Sequence, residues 1–133
     1  KAWQRRVSLR LVSLKLSNLY DTRFHGALGL DAAACGHEAR QRLAGVVALS
    51  CYLPLGATLP AEAHPSNAAV PVFMAHGTFD PIVPATLGEG ARDLLRSRGY
   101  DVDWRTYPMP HSVCAQEVAD LRAFLLRALP PRG

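Results

Sequence analysis

The spacing of apolar residues changes repeatedly along the second half of the chain, and the changes predict strands and helices in alternation. Short apolar runs occupy residues 43–50 and 70–75, and residues 102–107 form a third predicted strand. Uninterrupted apolar runs are typical of parallel strands, because these are covered on both faces. Between and after them, apolar residues recur every three or four positions, as on one face of a helix. This order predicts a three-layer α/β structure, with a mostly parallel sheet and helices on both faces.

The predicted helices can be placed from their apolar faces and their ends. Residues 27–40 are rich in alanine, although Gly29 and Gly36 each cost about 1 kcal/mol in a helix. A helix over residues 86–98 ends at Gly99, and Ser112 is placed to cap a last helix. The apolar face of the predicted helix over residues 86–98 comprises Leu87, Ala91, Leu94 and Leu95. The apolar stripe of the last helix comprises Cys114, Val118, Leu121, Leu125 and Ala128.

The composition is that of an ordinary globular protein, with 49% hydrophobic and 20% charged residues in a chain of 133. No apolar run approaches the ~20 residues that a membrane-spanning helix needs. The three cysteines form no Cys-x-x-Cys pair, which predicts free thiols and a reducing compartment, the cytoplasm. A connection as long as residues 51–69 usually has a binding or lid role.

The net charge of +4 is concentrated at one end of the chain. Residues 1–23 hold six of the 15 Lys and Arg but one of the 11 Asp and Glu, so the remainder is nearly neutral. Nucleic-acid binding, which needs basic residues across a folded face, is not expected. The pattern of residues 7–16 fits either a strand or a helix. An organelle transit peptide is an alternative for this basic segment, and the chain does not begin with Met.

Asp80 and His111 each follow a predicted strand at its carboxyl end. In a parallel sheet the carboxyl ends of strands lie at one edge, where ligands bind. A carboxylate beside an imidazole can fix the ring tautomer, so that the second ring nitrogen acts as a general base. The alternative is structural, since Asp-Pro often starts a turn and His often precedes a helix. Spacing leaves both interpretations open.

Three segments resemble one family in order and spacing. Residues 43–55 read Leu-Ala-Gly-Val-Val-Ala-Leu-Ser-Cys-Tyr-Leu-Pro-Leu, and residues 76–84 contain His-Gly-x-x-Asp-Pro-x-Val-Pro. Residues 107–117 contain Tyr-x-x-x-His-Ser-x-Cys-x-x-Glu. Together they resemble the carboxylesterase and acyl-protein thioesterase branch of the α/β-hydrolases, over residues 43–131. The fold expected from this resemblance is a partial α/β-hydrolase.

The resemblance also implies roles for particular residues and a class of substrate. Asp80 would be the acid and His111 the base of a catalytic triad. Tyr52, Leu53 and Ile82 would line an apolar channel for an acyl chain. The implied substrates are carboxylic esters, lysophospholipids or S-acylated proteins, and no cofactor or metal is implied.

The chain departs from the family where the nucleophile belongs. The family places Gly-Phe-Ser-Gln-Gly-Gly-Ala before a helix, whereas residues 23–29 read Arg-Phe-His-Gly-Ala-Leu-Gly. No Gly-x-Ser-x-Gly turn occurs elsewhere in the sequence. We therefore expect residues 1–24 to be an atypical basic segment, joined by mis-splicing, frame shift or truncation to residues 25–133, the C-terminal part of a hydrolase domain.

Other residues could in principle take over a chemical role. Ser50 and Cys51 end a predicted strand but belong to the substrate loop in the family, so attack by either is not expected. His25, near Cys35 and His37, meets no metal-binding spacing. Two hypotheses remain, a serine esterase or thioesterase whose nucleophile is absent here, and an inactive fragment or pseudo-hydrolase that binds acyl chains or a protein. An unpaired sheet edge would also favour a homodimer, unless residues 7–16 fill it.

Overall fold

A computed structural model of the chain describes residues 13–15, 43–53 and 65–129. Most of segment 1–24, the predicted helix over residues 27–40, His25 and residues 54–64 of the predicted loop lie outside the described residues. Four parallel strands form one sheet in sequence order. The strands are β1 (Ser13–Lys15), β2 (Val46–Leu49), β3 (Val72–Gly77) and β4 (Val102–Tyr107). A 3-10 helix (Pro65–Asn67) precedes β3, and two α-helices are described, α1 (Ala85–Ser97) and α2 (Ala115–Ala128).

The strands have the burial that their apolar sequences predict. Every residue of β2 and β3 is buried, because a helix covers each face of the sheet. Side chains alternate between the faces along each strand, so one cluster forms around α1 and another around α2. The first contains Val46, Ala48, Val72, Met74, Ala91, Leu95 and Val102. The second contains Val47, Leu49, Phe73, Ala75, Tyr107 and Phe124. The predicted three-layer fold is confirmed.

The edge of β2 pairs with β1 in the described part of the chain. Ser13, Leu14 and Lys15 pair in parallel with Val47, Ala48 and Leu49. The structure thus resolves the choice between strand and helix at these three residues in favour of a strand. It also places part of segment 7–16 at the sheet edge. This was one of the two predicted ways to cover that edge, the other being pairing with a second chain.

Helix α1 has the predicted position and ending, but its buried face is different. Gly99 has φ +86°, and the amide of Tyr100 donates to the carbonyl of Leu95, a bond typical of a helix that ends at a left-handed glycine. Leu87, predicted to face the core, is 45% exposed, whereas Gly88 is buried. The reason is steric, because the rings of two large side chains on the sheet lie directly under Gly88.

Helix α2 differs from its prediction in its start and in its buried face. It begins at Ala115 after Cys114, and no side chain caps it, so the predicted cap at Ser112 is wrong. Val118 was predicted in the apolar stripe but is 53% exposed, while Glu117 and Phe124 are buried. The Phe124 ring packs against Phe73 at 5.5 Å between ring centroids, so the buried face of the helix is the one that carries Phe124.

Candidate active site

The two residues predicted to cooperate are in direct contact. Nδ1 of His111 lies 2.7 Å from Oδ2 of Asp80. The register of β3 with β4 explains why, since the strands pair from Val72 and Val102 to Gly77 and Tyr107 and therefore end at the same level. The side chain of Asp80 is fully buried and that of His111 is 16% exposed. The pair therefore presents one partly exposed imidazole backed by a buried carboxylate.

The other carboxylate oxygen of Asp80 is held by its own loop. Oδ1 accepts hydrogen bonds from the amides of Ile82 at 2.8 Å and Val83 at 2.9 Å. An aspartate that bonds amides two and three residues ahead forms a turn typical of Asp-Pro sequences. The structural and the chemical interpretations of Asp80 are thus compatible, because one oxygen forms the turn and the other faces His111.

Opposing effects act on the pKa of Asp80, and the balance lowers it. Burial by itself raises the pKa of this carboxyl group, but the hydrogen bonds from Val83, His111 and Ile82 outweigh burial. The carboxylate is therefore the stable form of Asp80 at neutral pH. An ionised acceptor beside Nδ1 favours the His111 tautomer whose proton lies on Nδ1 and leaves a lone pair on Nε2.

The lowered pKa of Asp80 predicts a specific dependence of stability on pH. An aspartate with a native pKa below its unfolded value stabilises the native state above the unfolded value of about 3.9, and this contribution is lost as pH falls through the native value. We expect Asp80→Asn to remove this contribution, so that the melting temperature falls less steeply than in the wild type between about pH 5 and pH 3. Thermal unfolding at a series of pH values measures it, with Asp101→Asn, at an exposed position, as the control. Equal slopes in the two variants would contradict the prediction.

The loops that carry the pair touch through their backbones. The amide of Thr78 donates to the carbonyl of Tyr107 at 2.9 Å, and the amide of Phe79 donates to that of Met109 at 3.4 Å. Gly77, the last residue of β3, lies so close to the loop that carries His111 that a Cβ there would collide with the carbonyl oxygens of Met109 and Pro110. A glycine at the end of β3 is thus what lets the loops of Asp80 and His111 approach.

His76, which sequence reasoning did not assign to the site, lies beside the pair. Its side chain is 1% exposed, and Nε2 lies 2.7 Å from the carbonyl oxygen of Val83 and 3.6 Å from Oδ2 of Asp80. Its ring stacks near Trp104, with ring centroids 6.2 Å apart. The residue stands in the motif that carries the resemblance, but nothing in the spacing indicates that its ring turns toward Asp80.

The three residues expected to line an acyl channel have different surroundings. Tyr52 and Leu53 are half-buried and pack against the core cluster that contains α1. Ile82 is 66% exposed, and Phe79 beside the Asp80 turn is 59% exposed. The loop of Asp80 thus carries an apolar surface. The channel itself stays a prediction.

The two residues considered as substitute nucleophiles are both buried. Ser50 is 4% and Cys51 2% exposed. Ser50 has φ +54°, in the left-handed region, and turns the chain at the end of β2. Neither side chain is presented openly at the surface, and the expectation that they do not attack a substrate stays a prediction. Cys35 and His37, considered with His25 as metal ligands, also lie outside the part of the chain that the structure describes.

A parallel sheet with helices on both faces, and an acidic and a basic residue after adjacent strands, define a partial α/β-hydrolase. A sequence model of the phospholipase/carboxylesterase family matches residues 26–129. The chain belongs to this family, and the resemblance of its motifs is confirmed.

Individual relatives agree with this assignment. The chain is 45% identical over 109 residues to "Acyl-protein thioesterase 1" of Neurospora crassa, covering 79% of this chain and 43% of that protein. It is 41% identical over 111 residues to the protein of the same name from Gibberella zeae, covering 81% and 46%. The crystal structure of Arabidopsis thaliana SOBER1 superimposes with a TM-score of 0.64 at 24% identity, over 68% of this chain and 43% of that one. The chain thus spans less than half the length of these relatives.

Proposed function

We propose that this chain carries the acid-base part of a hydrolase that cleaves carboxylic esters or thioesters. The observation that carries the proposal is the contact of 2.7 Å between Nδ1 of His111 and Oδ2 of Asp80 at the carboxyl edge of the sheet. Membership of the phospholipase/carboxylesterase family supports the same chemistry.

In the proposed mechanism the His111 ring transfers a proton through Nε2. Asp80 accepts the Nδ1 proton in a hydrogen bond, stays ionised and stabilises the imidazolium as it forms. Nε2 removes the proton of an attacking hydroxyl group while that oxygen bonds to the acyl carbon. When the tetrahedral intermediate collapses, the bond from the acyl carbon to the leaving oxygen or sulfur breaks, and Nε2 returns the proton to the leaving group.

The proposed substrates are acyl esters, lysophospholipids or S-acylated proteins. The fungal relatives named as acyl-protein thioesterases support an acylated protein substrate. Tyr52, Leu53 and Ile82 are proposed to contact the acyl chain, as the family resemblance implies. For Ile82 the proposal is supported by the exposed apolar surface that it forms with Phe79 beside Asp80. No cofactor takes part in the proposed mechanism.

The nucleophile is the part of the site that this chain does not supply. Its sequence has no serine on a Gly-x-Ser-x-Gly turn, so we propose that residues 1–24 are foreign to the family and that residues 25–133 form the C-terminal part of the hydrolase domain. The match to the family begins at residue 26, which supports this division. The chain alone is then inactive, and its second candidate function is binding of an acyl chain or a protein without catalysis.

Two preparations test the hydrolase proposal. The first is the chain itself, which we expect to give no turnover of a p-nitrophenyl ester and no labelling by a fluorophosphonate probe. The second is a chimera in which residues 1–42 are replaced by the corresponding and preceding part of the Neurospora crassa relative. We expect the chimera to hydrolyse the ester and to lose this activity with His111→Gln.

The outcomes separate the two candidate functions. Labelling of the chain itself would contradict the absence of a nucleophile. A folded chimera that is inactive, or whose activity survives His111→Gln, would overturn the hydrolase proposal. Saturable binding of a fluorescent fatty acid by the unmodified chain would support the binding function, and its absence would remove that function.

The location and assembly of the protein are further proposals. Neither Cys51 nor Cys114, the cysteines among the described residues, is in a disulfide, which supports a reducing compartment such as the cytoplasm. No helix in the described part of the chain is long and apolar enough to cross a membrane. Homodimer formation stays a prediction, and light scattering measures it. In the described part of the chain, Ser13–Lys15 of β1 pairs with the edge of β2.

A further inference from the structure

His76 occupies an enclosed position between the sheet and α1. Its carbonyl partner, the oxygen of Val83, can only accept a hydrogen bond, so Nε2 at 2.7 Å must carry the proton and donate it. Within the described residues, the buried Nδ1 atom has no hydrogen-bond partner. The hydrogen bond of the ring is therefore the one from Nε2 to Val83, in the turn that contains Asp80, and Oδ2 of Asp80 lies 3.6 Å from the same nitrogen.

The contact joins the strand to the far end of that turn. Val83 uses its carbonyl group to accept from His76 and its amide group to donate to Oδ1 of Asp80 at 2.9 Å. Movement of Val83 would thus be transmitted to the carboxylate. Because Oδ1 is fixed by Val83 and by the amide of Ile82, the plane of the carboxylate is set, and Oδ2 is directed at His111.

We propose that His76 is a positioning residue for the Asp80 and His111 pair. By donating to Val83, Nε2 of His76 holds the turn in the one arrangement in which Oδ2 of Asp80 meets Nδ1 of His111. His76 does not itself meet the substrate in this proposal. The inference rests on the proposed role of the pair, but it concerns a hydrogen bond that can be observed without a nucleophile.

The surroundings of His76 keep its ring from moving away from Val83. Trp104 stacks near one side of the ring, and Arg92 lies over the Trp104 ring at 5.1 Å. On the Nδ1 side, Gly88 of α1 is so close that a Cβ there would lie 2.7 Å from Nδ1. The glycine in α1 thus makes room for the ring.

The test observes the His111 Nδ1 proton by NMR in the unmodified chain and in His76 variants. A proton held between His111 and a buried carboxylate gives a low-field resonance that exchanges slowly with water. His76→Gln places an amide donor near the position of Nε2, while His76→Asn carries the same group on a side chain too short to reach Val83. We expect His76→Gln to keep the resonance and His76→Asn to exchange it about tenfold faster or lose it, as for one lost hydrogen bond.

Each outcome has a defined meaning. Retention of the unchanged resonance by folded His76→Asn would overturn the positioning role, as would equal losses in the Asn and Gln variants. Thermal unfolding of each variant reports whether the fold is kept. Both variants bury a side-chain amide at position 76, so a difference between them reflects the reach of the side chain rather than its polarity. If His76→Asn does not fold, Gly88→Ala pushes the intact ring from its Nδ1 side, and a resonance unchanged in that variant would equally overturn the role. Absence of the resonance in the unmodified chain would contradict the contact between Asp80 and His111, and hence the proposed hydrolase function as well.

Discussion

Asp80→Asn is expected to lower kcat of the chimera that carries the nucleophile by about 10⁴-fold, while the fold is kept. Oδ1 of Asp80 accepts from two backbone amides, so the asparagine oxygen must take that position. Its NH₂ group then replaces Oδ2 and faces Nδ1 of His111. Two donors cannot pair, and the imidazole must turn its Nδ1 lone pair inward and carry its proton on Nε2. The ring is then a donor at the atom that has to act as a base.

Steady-state kinetics with a p-nitrophenyl ester measure this effect, with Asp101→Asn in the same chimera as the matched control. The control removes the same charge at an exposed position outside the site and is expected to leave kcat within about twofold, since surface substitutions have small effects. Equal losses in the two variants would show that charge, rather than the tautomer of His111, controls the rate. A loss of less than tenfold in Asp80→Asn would contradict the proposed role of the aspartate.

Gly77→Ala is expected to destabilise the chain by about 3 kcal/mol, because overpacking against backbone is relieved only by moving the backbone. The added methyl group would collide with the carbonyl oxygens of Met109 and Pro110, and neither can rotate away as a flexible side chain does. Separation of these loops also pulls His111 from Asp80. The variant should therefore lose the low-field His111 resonance even under conditions where it remains folded.

Denaturant unfolding of the chain measures the change, and Gly90→Ala is the matched control. Gly90 is an exposed residue of α1 with no atom near the position of an added Cβ. Its replacement should stabilise the helix by about 0.5 to 1 kcal/mol, the usual gain of alanine over glycine. If Gly77→Ala were as stable as the wild type, the close approach of the two loops would be wrong.

The strands could be predicted because their signal is local. Residues 46–49 and 72–75 of β2 and β3 lie within the predicted apolar runs, and β4 has the predicted bounds of 102–107. A strand covered on both faces is usually a nearly continuous apolar run, so β2 and most of β3 can be recognised without knowledge of their neighbours. The position of Gly99 likewise predicted the end of α1, because a left-handed backbone conformation favours glycine.

The buried faces of the helices were harder to predict, since several residues compete for them. Leu87 and Val118 have the right spacing but are exposed, while Gly88 and Phe124 are buried. Their burial depends on the shape of the sheet beneath, on the rings under Gly88 and on Phe73 under Phe124. The spacing of apolar residues shows which of them share a helix face, but it does not show how much space the sheet leaves for each side chain. Ser112 failed as a cap because α2 starts later than its sequence suggests.

The sequence by itself determined the order of strands and helices from β2 to α2, the family, and the two residues at the carboxyl edge, Asp80 and His111. Each follows from residues near one another in the chain, or from a parallel sheet bringing its strand ends together. Only the tertiary structure decided how the pair is held: the turn that occupies Oδ1, the contact of His76 with Val83, and the approach permitted by Gly77. These depend on atoms that meet across different elements within fractions of an ångström, and a one-dimensional pattern does not encode such distances.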